Sequence, residues 1–551
     1  MTIIDKNTSK EEILDLLLKN RHISEKNKKE YFSPSPPQSF LSKDFGINQK
    51  NLDKAVNRIN LAIKNKQNIL IYGDYDVDGI TATAILWQVL FDKKANVTPF
   101  IPDRELDGYG VRADSFFRFQ TQKKIKFDLL ITVDNGIVAN RELQKILDSG
   151  VDIIVSDHHL ANQPLAKSII SVHSTVISGS VVAWLIAQKI DQKADLGLAT
   201  LGTVADCLPL NTINRNIVYH GLKSLQKNPN FGIKKLIEIS GIKQDKISTY
   251  ELGFVIGPRL NAVGRLSNPT DALRLLCCSS ETQASKYATI LDSFNKDRQL
   301  LQQESIDIAE KYYSRDAINR VSNNIKNKII FVADKSFLPG IIGLIASRFT
   351  DKYYLPSIVI SVGKKVSKGS CRSIKELNII ETLRELTSEL VELGGHVGAA
   401  GFSIETKKIP QFKKEIIKII NLKLKDKVLR PTKFIDADMK LNAVTISNCQ
   451  LIQKLEPFGL ENPDPLFQFN NLRITDIRLL GQKQEHLKLK VDDPSTPKNE
   501  NILVDSIAFK KGDIGKNLKV GDSISFTAKL NLNFWNGNLS PQLIVNDILS
   551  L

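Results

Sequence analysis

The chain has 551 residues, of which 42% are hydrophobic and 25% charged, and its formal net charge is +16 at pH 7. This length exceeds one ordinary hydrophobic core, so we expect roughly two to four domains. Its apolar runs are shorter than the about 18 residues of a membrane-spanning helix, and the charged N-terminus lacks a signal peptide's apolar centre. These features predict a cytoplasmic protein that does not bind membranes.

Cysteine content and net charge narrow the class further. Five cysteines, an odd number without a C-x-x-C pair, argue against a disulfide framework or a zinc ribbon. The excess of basic residues favours a polyanionic partner such as nucleic acid. Lysine also accumulates on solvated surfaces, so charge alone leaves nucleic-acid binding and an uninformative surface equally open.

Strands and helices alternate in the N-terminal half. After a helical stretch and the proline-rich FSPSPPQSF, which we interpret as an arm over residues 1–50, NILIYGDYDVDG predicts a buried strand and a turn, with a helix from about Ile80. FDLLITVDNG predicts a strand that ends at Asp134, and VDIIVSDHH one that ends at Asp157. This alternation predicts a parallel sheet with crossover helices.

The C-terminal half changes character twice. A long polar helix from about Thr282 to Ser314 is predicted to connect two domains, and a second α/β segment follows. After a lysine-rich helix from Ile409 to Lys427, short alternating strands predict a β-barrel or sandwich. The predicted α/β architecture comprises a parallel-sheet domain, a connecting helix, a second α/β domain and a β-barrel, over 51–280, 281–325, 326–430 and 431–551.

Acids and histidines follow three of the predicted strands, at the edge where parallel sheets carry their sites. If the backbone of GDYDVDG stays extended, Asp74, Asp76 and Asp78 point to one side. Like charges raise one another's pKa, so three neighbouring carboxylates need a compensating cation. Asp134 and the Asp-His-His group would add ligands, so the sequence predicts a divalent-metal site.

Carboxylate and imidazole ligands without thiolates favour Mn²⁺ or Mg²⁺. The ligands exceed the needs of one ion, so we expect two ions bridged by Asp134, an arrangement that suits phosphoester hydrolysis. Each motif alone has an ordinary alternative: a polar or calcium-loop turn for DYDVDG, an Asn-Gly turn for VDNG, and a helix N-cap with solvated histidines for SDHH. Their occurrence at successive strand ends favours the metal site.

Together these motifs resemble the DHH phosphoesterase superfamily. LGTVADCLPL supplies a further acid, Asp206, and FVIGPRLNAVGRL follows in the expected order. KGSCRS, GGHVGAAG and LEPFGLENPDPLF resemble the superfamily's single-stranded-DNA exonucleases rather than its pyrophosphatases. The resemblance extends from about Ser39 to the end, and it implies a DHH catalytic domain, a DHHA1-like substrate-binding domain and an OB-like nucleic-acid-binding domain.

The resemblance also implies roles for individual residues. His159 would face the scissile phosphate as general acid or electrostatic stabiliser, and Arg104, with Ser370 and Arg372 of SKGSCRS, would hold the terminal 5′-phosphate. Asp74 would be a metal ligand or a carboxylate behind the ligands. The implied metal ligands are Asp76, Asp78, Asp134, His158 and Asp206.

Two glycine-rich stretches have residues suited to a substrate strand. Gly394 and Gly395 permit close backbone approach, and His396, which we also assign to catalysis, can donate to a phosphate; the alternative is a turn with an incidental histidine. Tyr109 could stack on a base or pack internally. We also predict substrate contacts for residues of PRLNAVGR, although the first could instead form a structural ion pair: Arg259, Asn261 and Arg265.

In the β-barrel segment, Phe534 and Trp535 with Lys488 and Lys490 suit a strand-binding face, where aromatic rings stack on bases and lysines follow phosphates. Aromatic residues in a barrel are more often core.

Two positions depart from the pattern of the exonuclease branch. Leu338 in SFLPG occupies a place where relatives usually carry histidine, and it cannot donate a hydrogen bond. Cys371 stands where glycine is common. Neither change touches the predicted metal ligands, so we expect activity, with weaker substrate binding if that histidine contacts the strand.

We therefore predict a single-stranded-DNA-specific 5′→3′ exonuclease of DNA repair and recombination that releases 5′-mononucleotides with two Mn²⁺ or Mg²⁺ ions. The expected partners are single-stranded DNA, a helicase and a single-strand-binding protein, and the chain is expected to be a monomer. The alternatives are a DHH phosphodiesterase of oligonucleotides or cyclic dinucleotides, and an inactive strand-binding relative. The additional β domain argues against the first, and retention of every acid and histidine argues against the second.

Overall fold

Three β-sheets and the helices around them build the molecule. The structure is a computed structural model. Among the residues it describes, no helix combines the length and hydropathy needed to cross a bilayer. The described residues are 2–104, 106–108, 110–322, 327–497 and 502–550.

The N-terminal segment packs into the C-terminal domain, whereas the sequence predicted an arm. Strand β1 (Ile3–Ile4) pairs in parallel with Asp438 and Met439, and helices α1 (Lys10–Asn20) and α2 (Glu25–Phe32) follow. The apolar face of this segment is too small to form a core alone, so it joins the C-terminal core. The buried residues are Ile4, Ile13, Leu17, Leu18 and Tyr31.

The first domain is built on a five-stranded parallel sheet. Its strands are continuous apolar runs because helices cover both faces of such a sheet. The strands are β2 (Asn68–Tyr72), β3 (Asn96–Phe100), β4 (Leu129–Val133), β5 (Asp152–Asp157) and β6 (Ile170–His173). Their order is β3-β2-β4-β5-β6, which brings the ends of β2, β4 and β5 side by side.

The helices of the first domain enclose the sheet and extend it into a helical subdomain. They are α3 (Gln49–Lys64), α4 (Val77–Asp92), α5 (Ala113–Lys123), α6 (Asn140–Asp148), α7 (Gly179–Ile190), α8 (Leu196–Ala205), α9 (Thr212–Lys227), α10 (Phe231–Ile239), α11 (Thr249–Glu251), α12 (Gly257–Leu266) and α13 (Thr270–Leu276). A π-helical turn, Leu252–Ile256, joins α11 to α12.

A long helix, α14 (Glu281–Ser322), leads to the second domain, and it exceeds its predicted length at both ends. The second sheet has five strands in the order β10-β11-β9-β8-β7. Its elements are β7 (Ile330–Asp334), α15 (Ile342–Tyr353), β8 (Ser357–Ser361), β9 (Val366–Arg372), α16 (Ile379–Arg384), β10 (Leu390–His396), β11 (Ala399–Glu405) and α17 (Ile409–Lys423).

The C-terminal domain is a closed five-stranded barrel, because β13 pairs with both β14 and β16 while β15 and β16 each pair with β17. Closure leaves these strands no free edge over the paired residues. The elements are β12 (Ala437–Met439), α18 (Ile446–Gln453), β13 (Phe467–Leu480), β14 (His486–Asp492), β15 (Val504–Ala508), α19 (Gly512–Gly515), β16 (Ser523–Trp535) and β17 (Asn538–Ser550).

A buried arginine on α9 joins the first domain to the C-terminal domain, and we call this contact the joint. The Arg215 guanidinium donates to the backbone carbonyls of Tyr31, Glu456 (2.7 Å) and Pro457. It also lies 3.9 Å from the centroid of the Tyr31 ring. The motif LEPFGLENPDPLF therefore begins in an interdomain contact.

Candidate metal centre

The loop after β2 places three carboxylates around the start of α4. Asp76 is the N-cap of this helix, and its Oδ1 accepts from the Gly79 amide at 3.0 Å. Asp78 lies in the first helical turn, where its carboxylate accepts from the amides of Gly179 (2.7 Å) and Ser180 (3.0 Å) at the start of α7. The condition of an extended backbone is not met here, because the helix begins at Val77 rather than near Ile80.

Carboxylates from three separate segments of the chain converge on one imidazole. His158 Nε2 lies 3.2 Å from Asp134 Oδ1, 3.6 Å from Asp206 Oδ2 and 3.7 Å from Asp78 Oδ2. Asp134 follows β4 and Asp206 is the C-cap of α8. Side chains from distant parts of the sequence thus meet at one edge of the sheet.

These residues form overlapping groups with ligand atoms within 4.8 Å of one another. The groups are Asp74, Asp76 and Asp134; Asp78, His158 and Asp206; and Asp134, His158 and His159. We call the six predicted ligands the metal centre: Asp74, Asp76, Asp78, Asp134, His158 and Asp206. Asp134 and His158 each belong to two of the groups, and the bridging position of Asp134 stays a prediction.

Burial makes the negative charges of the metal centre costly. Burial, followed by the charge of Asp76, raises the pKa of Asp74 to about 8. Burial and the charges of Asp78, Asp76 and Asp74 raise the pKa of Asp134 well above its usual value. Partial desolvation and the charges of Asp78 and Asp76 also raise the pKa of Asp206. A divalent cation would remove this repulsion, so the electrostatics suit a metal.

Two further observations fit a metal. Asp134 Oδ1 is buried and accepts no hydrogen bond from the described residues, so a ligand-type oxygen is available. Burial lowers the pKa of His158 despite the opposing charge of Asp78, which favours the neutral imidazole that metals bind.

Two glycines let the helices approach these carboxylates. A Cβ at Gly179 would lie 2.5 Å from Asp134 Oδ1, and a Cβ at Gly202 would lie 2.3 Å from Asp78 Oδ1. Real Cβ atoms do not approach oxygen so closely. Gly179 and Gly202 therefore set the spacing of α7 and α8 around the metal centre.

Asp157 positions the histidine pair rather than joining the carboxylate groups. Its Oδ1 accepts from the amides of His158 (2.7 Å) and His159 (3.2 Å) and lies 2.8 Å from His159 Nδ1. Its Oδ2 accepts from the Ile137 amide at 2.8 Å. Burial lowers the pKa of His159, but the bond to Asp157 and nearby carboxylates outweigh it and raise that pKa to about 9.

An arginine cluster lies beside the metal centre; its members are Arg104, Arg265, Arg298 and Arg372. Arg104 lies 5.3 Å from the Tyr75 ring centroid, and Tyr75 stands between Asp74 and Asp76 in the chain. Burial and the charges of the other three arginines lower the pKa of Arg265 to about 10. Because like charges are held together there, the cluster suits a polyanion such as a phosphate.

The arginine cluster spans the contact between the first and second domains. Arg265 donates to the Gly340 carbonyl at 3.0 Å, and Arg372 lies beside Ser370 on β9. Gly343, in the first turn of α15, packs closely against Ser370 and Arg372. A Cβ at this position would lie 3.2 Å from Ser370 Oγ and 3.4 Å from Arg372 Nη2.

Other predicted substrate residues lie on the second domain. Gly394, Gly395 and His396 form the exposed end of edge strand β10. On this strand, hydrogen bonds from Ser403 and Lys368, with a smaller effect of Arg112, lower the pKa of Glu392. Arg112 belongs to the first domain, so this domain contributes to the electrostatics of β10.

Three further residues were predicted to contact the substrate: Arg259, Asn261 and Tyr109. Arg259 forms the structural ion pair that the sequence left open, with Nε 3.0 Å from Asp292 Oδ1. Asn261 is half-buried on α12. Tyr109 lies outside the described residues.

In the barrel, the exposed fractions of Phe534 and Trp535 are 65% and 70%, so these rings are not core. Lys490 is exposed, whereas Lys488 pairs with Asp505 at 2.8 Å. The aromatic end of the β16–β17 hairpin therefore remains a candidate strand-binding surface.

The two departures from the family pattern lie in different environments. Leu338 is 41% exposed, next to the buried Phe337, and two residues before Gly340 of the interdomain contact. The Cys371 side chain is fully buried in the core of the second domain. Only Leu338 is placed where it could face a ligand.

Sequence reasoning missed three residues of the site, Gly179, Gly202 and Arg298, and it counted Asp157 among the candidate ligands, whereas this residue positions the histidines. The motif SDHH shows an acid before the histidines, but the backbone amides that donate to Asp157 could not be predicted from the sequence. Gly179 and Gly202 stand in small-residue stretches whose sequence does not indicate which carboxylates they contact. Arg298 lies on the long helix, which was interpreted only as a connector.

Comparisons with known proteins agree with this geometry. Family models match three parts of the chain: the DHH family N-terminal domain over 68–209, the DHHA1 domain over 326–422 and the RecJ OB domain over 435–547. These matches confirm the predicted α/β architecture with DHH, DHHA1-like and OB-like domains.

Full-length relatives extend the likeness to most of the chain. The single-stranded-DNA-specific exonuclease RecJ of Bacillus subtilis is 32% identical over 90% of this chain, which spans 63% of that protein's length. The crystal structure of Thermus thermophilus RecJ in complex with Mn²⁺ has a TM-score of 0.78 at 26% identity, covering 100% of this chain and 79% of that one. A structure of exonuclease RecJ bound to manganese has a TM-score of 0.58 at 30% identity, covering 69% of this chain and 97% of that one. The chain belongs to the RecJ family of the DHH superfamily.

Proposed function

We propose that this chain is a metal-dependent 5′→3′ exonuclease that hydrolyses single-stranded DNA to 5′-mononucleotides, in DNA repair and recombination. The observation that carries the proposal is the placement of the metal centre beside the arginine cluster, with Tyr75 between them. Groups for cations and groups for a terminal phosphate lie next to each other, as removal of an end nucleotide requires. The names of the relatives supply the substrate, single-stranded DNA.

The six residues of the metal centre would hold two Mn²⁺ or Mg²⁺ ions. When bound, such ions activate water and neutralise charge on the phosphoryl oxygens. The chain's own contribution is positioning: the α7 amides orient Asp78, and Gly79 orients Asp76. Tight packing of Gly179 and Gly202 against the carboxylates keeps their spacing fixed.

We assign His159 to the scissile phosphate. Asp157 holds Nδ1 of His159, which fixes the ring and leaves Nε2 as the nitrogen directed to substrate. From there the imidazole can stabilise negative charge or donate a proton to the leaving oxygen. We assign Asp157 a positioning role that acts through His159.

The arginine cluster would bind the 5′-phosphate. Guanidinium groups donate in pairs to phosphate oxygens, and Arg104, Arg372 and the Ser370 hydroxyl offer such donors from both domains. Gly394 and Gly395 would let the backbone of β10 approach the strand, with His396 as a further donor. Arg265 and Asn261 line the same helix, α12. A bound 5′ end at this cluster would set the 5′→3′ direction.

The C-terminal barrel would hold the rest of the strand through Phe534 and Trp535, since rings stack on any base.

We further propose the domain limits 51–280, 281–325, 326–430 and 431–551, with residues 1–50 as an N-terminal segment. A monomer in the cytoplasm would act on strands that a helicase separates and a single-strand-binding protein coats. The single-stranded substrate supports this, because duplex must first be opened.

A nuclease assay tests the proposal. Purified protein is mixed with long single strands that carry either a 5′-phosphate or a 5′-hydroxyl, with Mn²⁺ or with chelator, beside matched duplex and dinucleotides. We expect stepwise release of 5′-mononucleotides from the phosphorylated single strand, dependence on Mn²⁺, and little release from duplex. Activity confined to dinucleotides, or release starting from the 3′ end, would contradict the proposal.

A further inference from the structure

An exposed pair of aromatic rings lies at the surface of the first domain. The side chains of Tyr250 and Phe254 are 62% and 72% exposed, yet their rings stack, with centroids 5.1 Å apart and planes at 28°. Two stacked rings left in water present a flat apolar face, which is the kind of surface on which nucleic-acid bases stack. We call them the aromatic pair.

The backbone under the aromatic pair is a π-helical turn. The chain runs as one helix from Thr249 to Leu266, interrupted by the wider turn Leu252–Ile256. Pro258 follows that turn and lacks an amide donor, which disfavours a regular α-helix through this point. Leu252 and Ile256 are fully buried in the core of the first domain, so the aromatic pair is held on a firm support.

This helix runs along the metal centre. At one end, a Cβ at Gly253 would lie 3.6 Å from Val204 Cγ1, and a Cβ at Gly257 would lie 3.9 Å from Ala205 Cβ. Ala205 directly precedes Asp206 of the metal centre. At the other end, Gly264 packs against the Tyr75 carbonyl, and the next residue is Arg265 of the arginine cluster.

The order along the helix is therefore arginine cluster, metal centre, aromatic pair. Beyond the aromatic pair, Thr249 Oγ1 donates to the Phe458 carbonyl at 2.6 Å, at the boundary of the C-terminal domain. Leu460, whose side chain is exposed there, accepts from the Leu210 amide through its carbonyl. The aromatic pair thus lies between the metal centre and the barrel.

We propose that the aromatic pair is a stacking platform for bases on the 3′ side of the scissile phosphate. The inference rests on the proposed function, since a 5′ end at the arginine cluster directs the following nucleotides past Asp206 towards Phe254. Stacking recognises the face of any base, so the platform contributes affinity without sequence preference. It holds the strand in the cleft after each nucleotide leaves.

The test compares Phe254→Ala and Tyr250→Ala with Phe91→Ala. Phe91 is also an exposed ring that stacks on another, the half-buried Trp87, with centroids 4.8 Å apart, but it lies on α4 about 20 Å from Asp78, from the rise per helical residue. We expect either platform variant to raise KM on a long single strand by about tenfold, because one stacked base contributes that much affinity. Hydrolysis of a 5′-phosphorylated dinucleotide stays as in wild type, and Phe91→Ala behaves as wild type on both substrates.

A direct readout accompanies the kinetics. A strand with 2-aminopurine a few nucleotides from its 5′ end is bound to protein in chelator, and stacking quenches its fluorescence. Phe254→Ala should restore the fluorescence, and Phe254→Tyr should keep it quenched. Unchanged KM and unchanged quenching would overturn the platform and leave the pair as a surface for a protein partner. Wild type that degrades neither strand nor dinucleotide would instead overturn the proposed function.

Discussion

Asp134 is the residue whose charge matters most to the metal centre, because it is buried, lacks a hydrogen bond at Oδ1 from the described residues and lies in two of the ligand groups. Its folded pKa is raised, so at neutral pH its charge opposes folding when no metal is bound. The Asp134 carboxylate therefore destabilises the fold when no metal is bound and would serve as a ligand when one is.

Asp134→Asn should lower nucleotide release by more than about a hundredfold, as loss of a preorganised charge does, while single-strand affinity stays within about twofold because the arginine cluster is untouched. In chelator, the variant should melt about 2–4 °C above wild type if repulsion worth ~1 kcal/mol is relieved. Added Mn²⁺ should raise the melting temperature of wild type but not of the variant. Asp245→Asn, a change at an exposed acid, should leave all three readouts unchanged, and undiminished turnover in Asp134→Asn would rule out its role as a ligand.

Gly202→Ala tests the packing behind the ligands. Alanine normally stabilises a helix by about 1 kcal/mol relative to glycine, but here the new Cβ would lie 2.3 Å from Asp78 Oδ1 and 2.2 Å from Ser180 Oγ. We expect the affinity for Mn²⁺, measured by calorimetry, to fall about 10–100-fold, the usual cost of disturbing groups behind metal ligands. Gly253→Ala meets only an ordinary contact at 3.6 Å and should bind Mn²⁺ normally. Equal affinities in the two variants would refute the proposed spacing role.

At the scale of elements, we expect the joint to contribute strongly to the stability of the fold. Arg215→Ala removes a buried guanidinium and leaves the carbonyls of Tyr31, Glu456 and Pro457 without this donor. Unsatisfied buried groups cost about 1–3 kcal/mol each, so we expect the free energy of unfolding to fall by about 3 kcal/mol in urea titrations. Arg58→Ala, which breaks an ion pair with the largely exposed Asp152, should cost about 1 kcal/mol or less. A similar loss in both variants would show that the joint is not specially stabilising.

The sequence predicted elements well where the signal was local. The ends of β4 and β5 were placed at Asp134 and Asp157 because apolar runs stop there, and the structure has β4 ending one residue earlier. The start of α4 was misplaced because Asp76, read as part of an extended run, is an N-cap. The β-barrel was recognised by alternation, but its closure depends on the pairing of β13 with β16, which are far apart in sequence.

At the scale of the whole molecule, the basic charge should appear in the salt dependence of binding. Each phosphate contact on a single strand contributes a slope of about 0.7 in a log–log plot of affinity against salt. Arg372→Ala in the arginine cluster should reduce that slope by about 0.7 with a 5′-phosphorylated strand in chelator. Lys28→Ala, at a surface pair with Asp15, should not change it. A flat plot for wild type would contradict a phosphate-binding cleft.

The position of the N-terminal segment could not be predicted from the sequence because, like closure of the barrel, it depends on contacts between distant parts of the chain. Strand β1 has two residues, too few for a periodic signal, and its partner Asp438 lies near the other end of the chain. The buried pair of Arg21 and Asp436, with Nη1 3.0 Å from Oδ1, is equally invisible in the sequence. Local sequence patterns predicted the carboxylates of the metal centre. They could not predict the contacts that bring distant segments together.

The joint has a consequence for exchanging domains between relatives. Among the described residues, Arg215 donates only to main-chain carbonyls on the far side of the boundary, and the one ring it stacks on, Tyr31, belongs to the N-terminal segment and not to the barrel. A barrel from another member of the family should dock in its place if that backbone follows the same path. Chimeric nucleases that differ in how they hold a strand could therefore be assembled around one unchanged catalytic body.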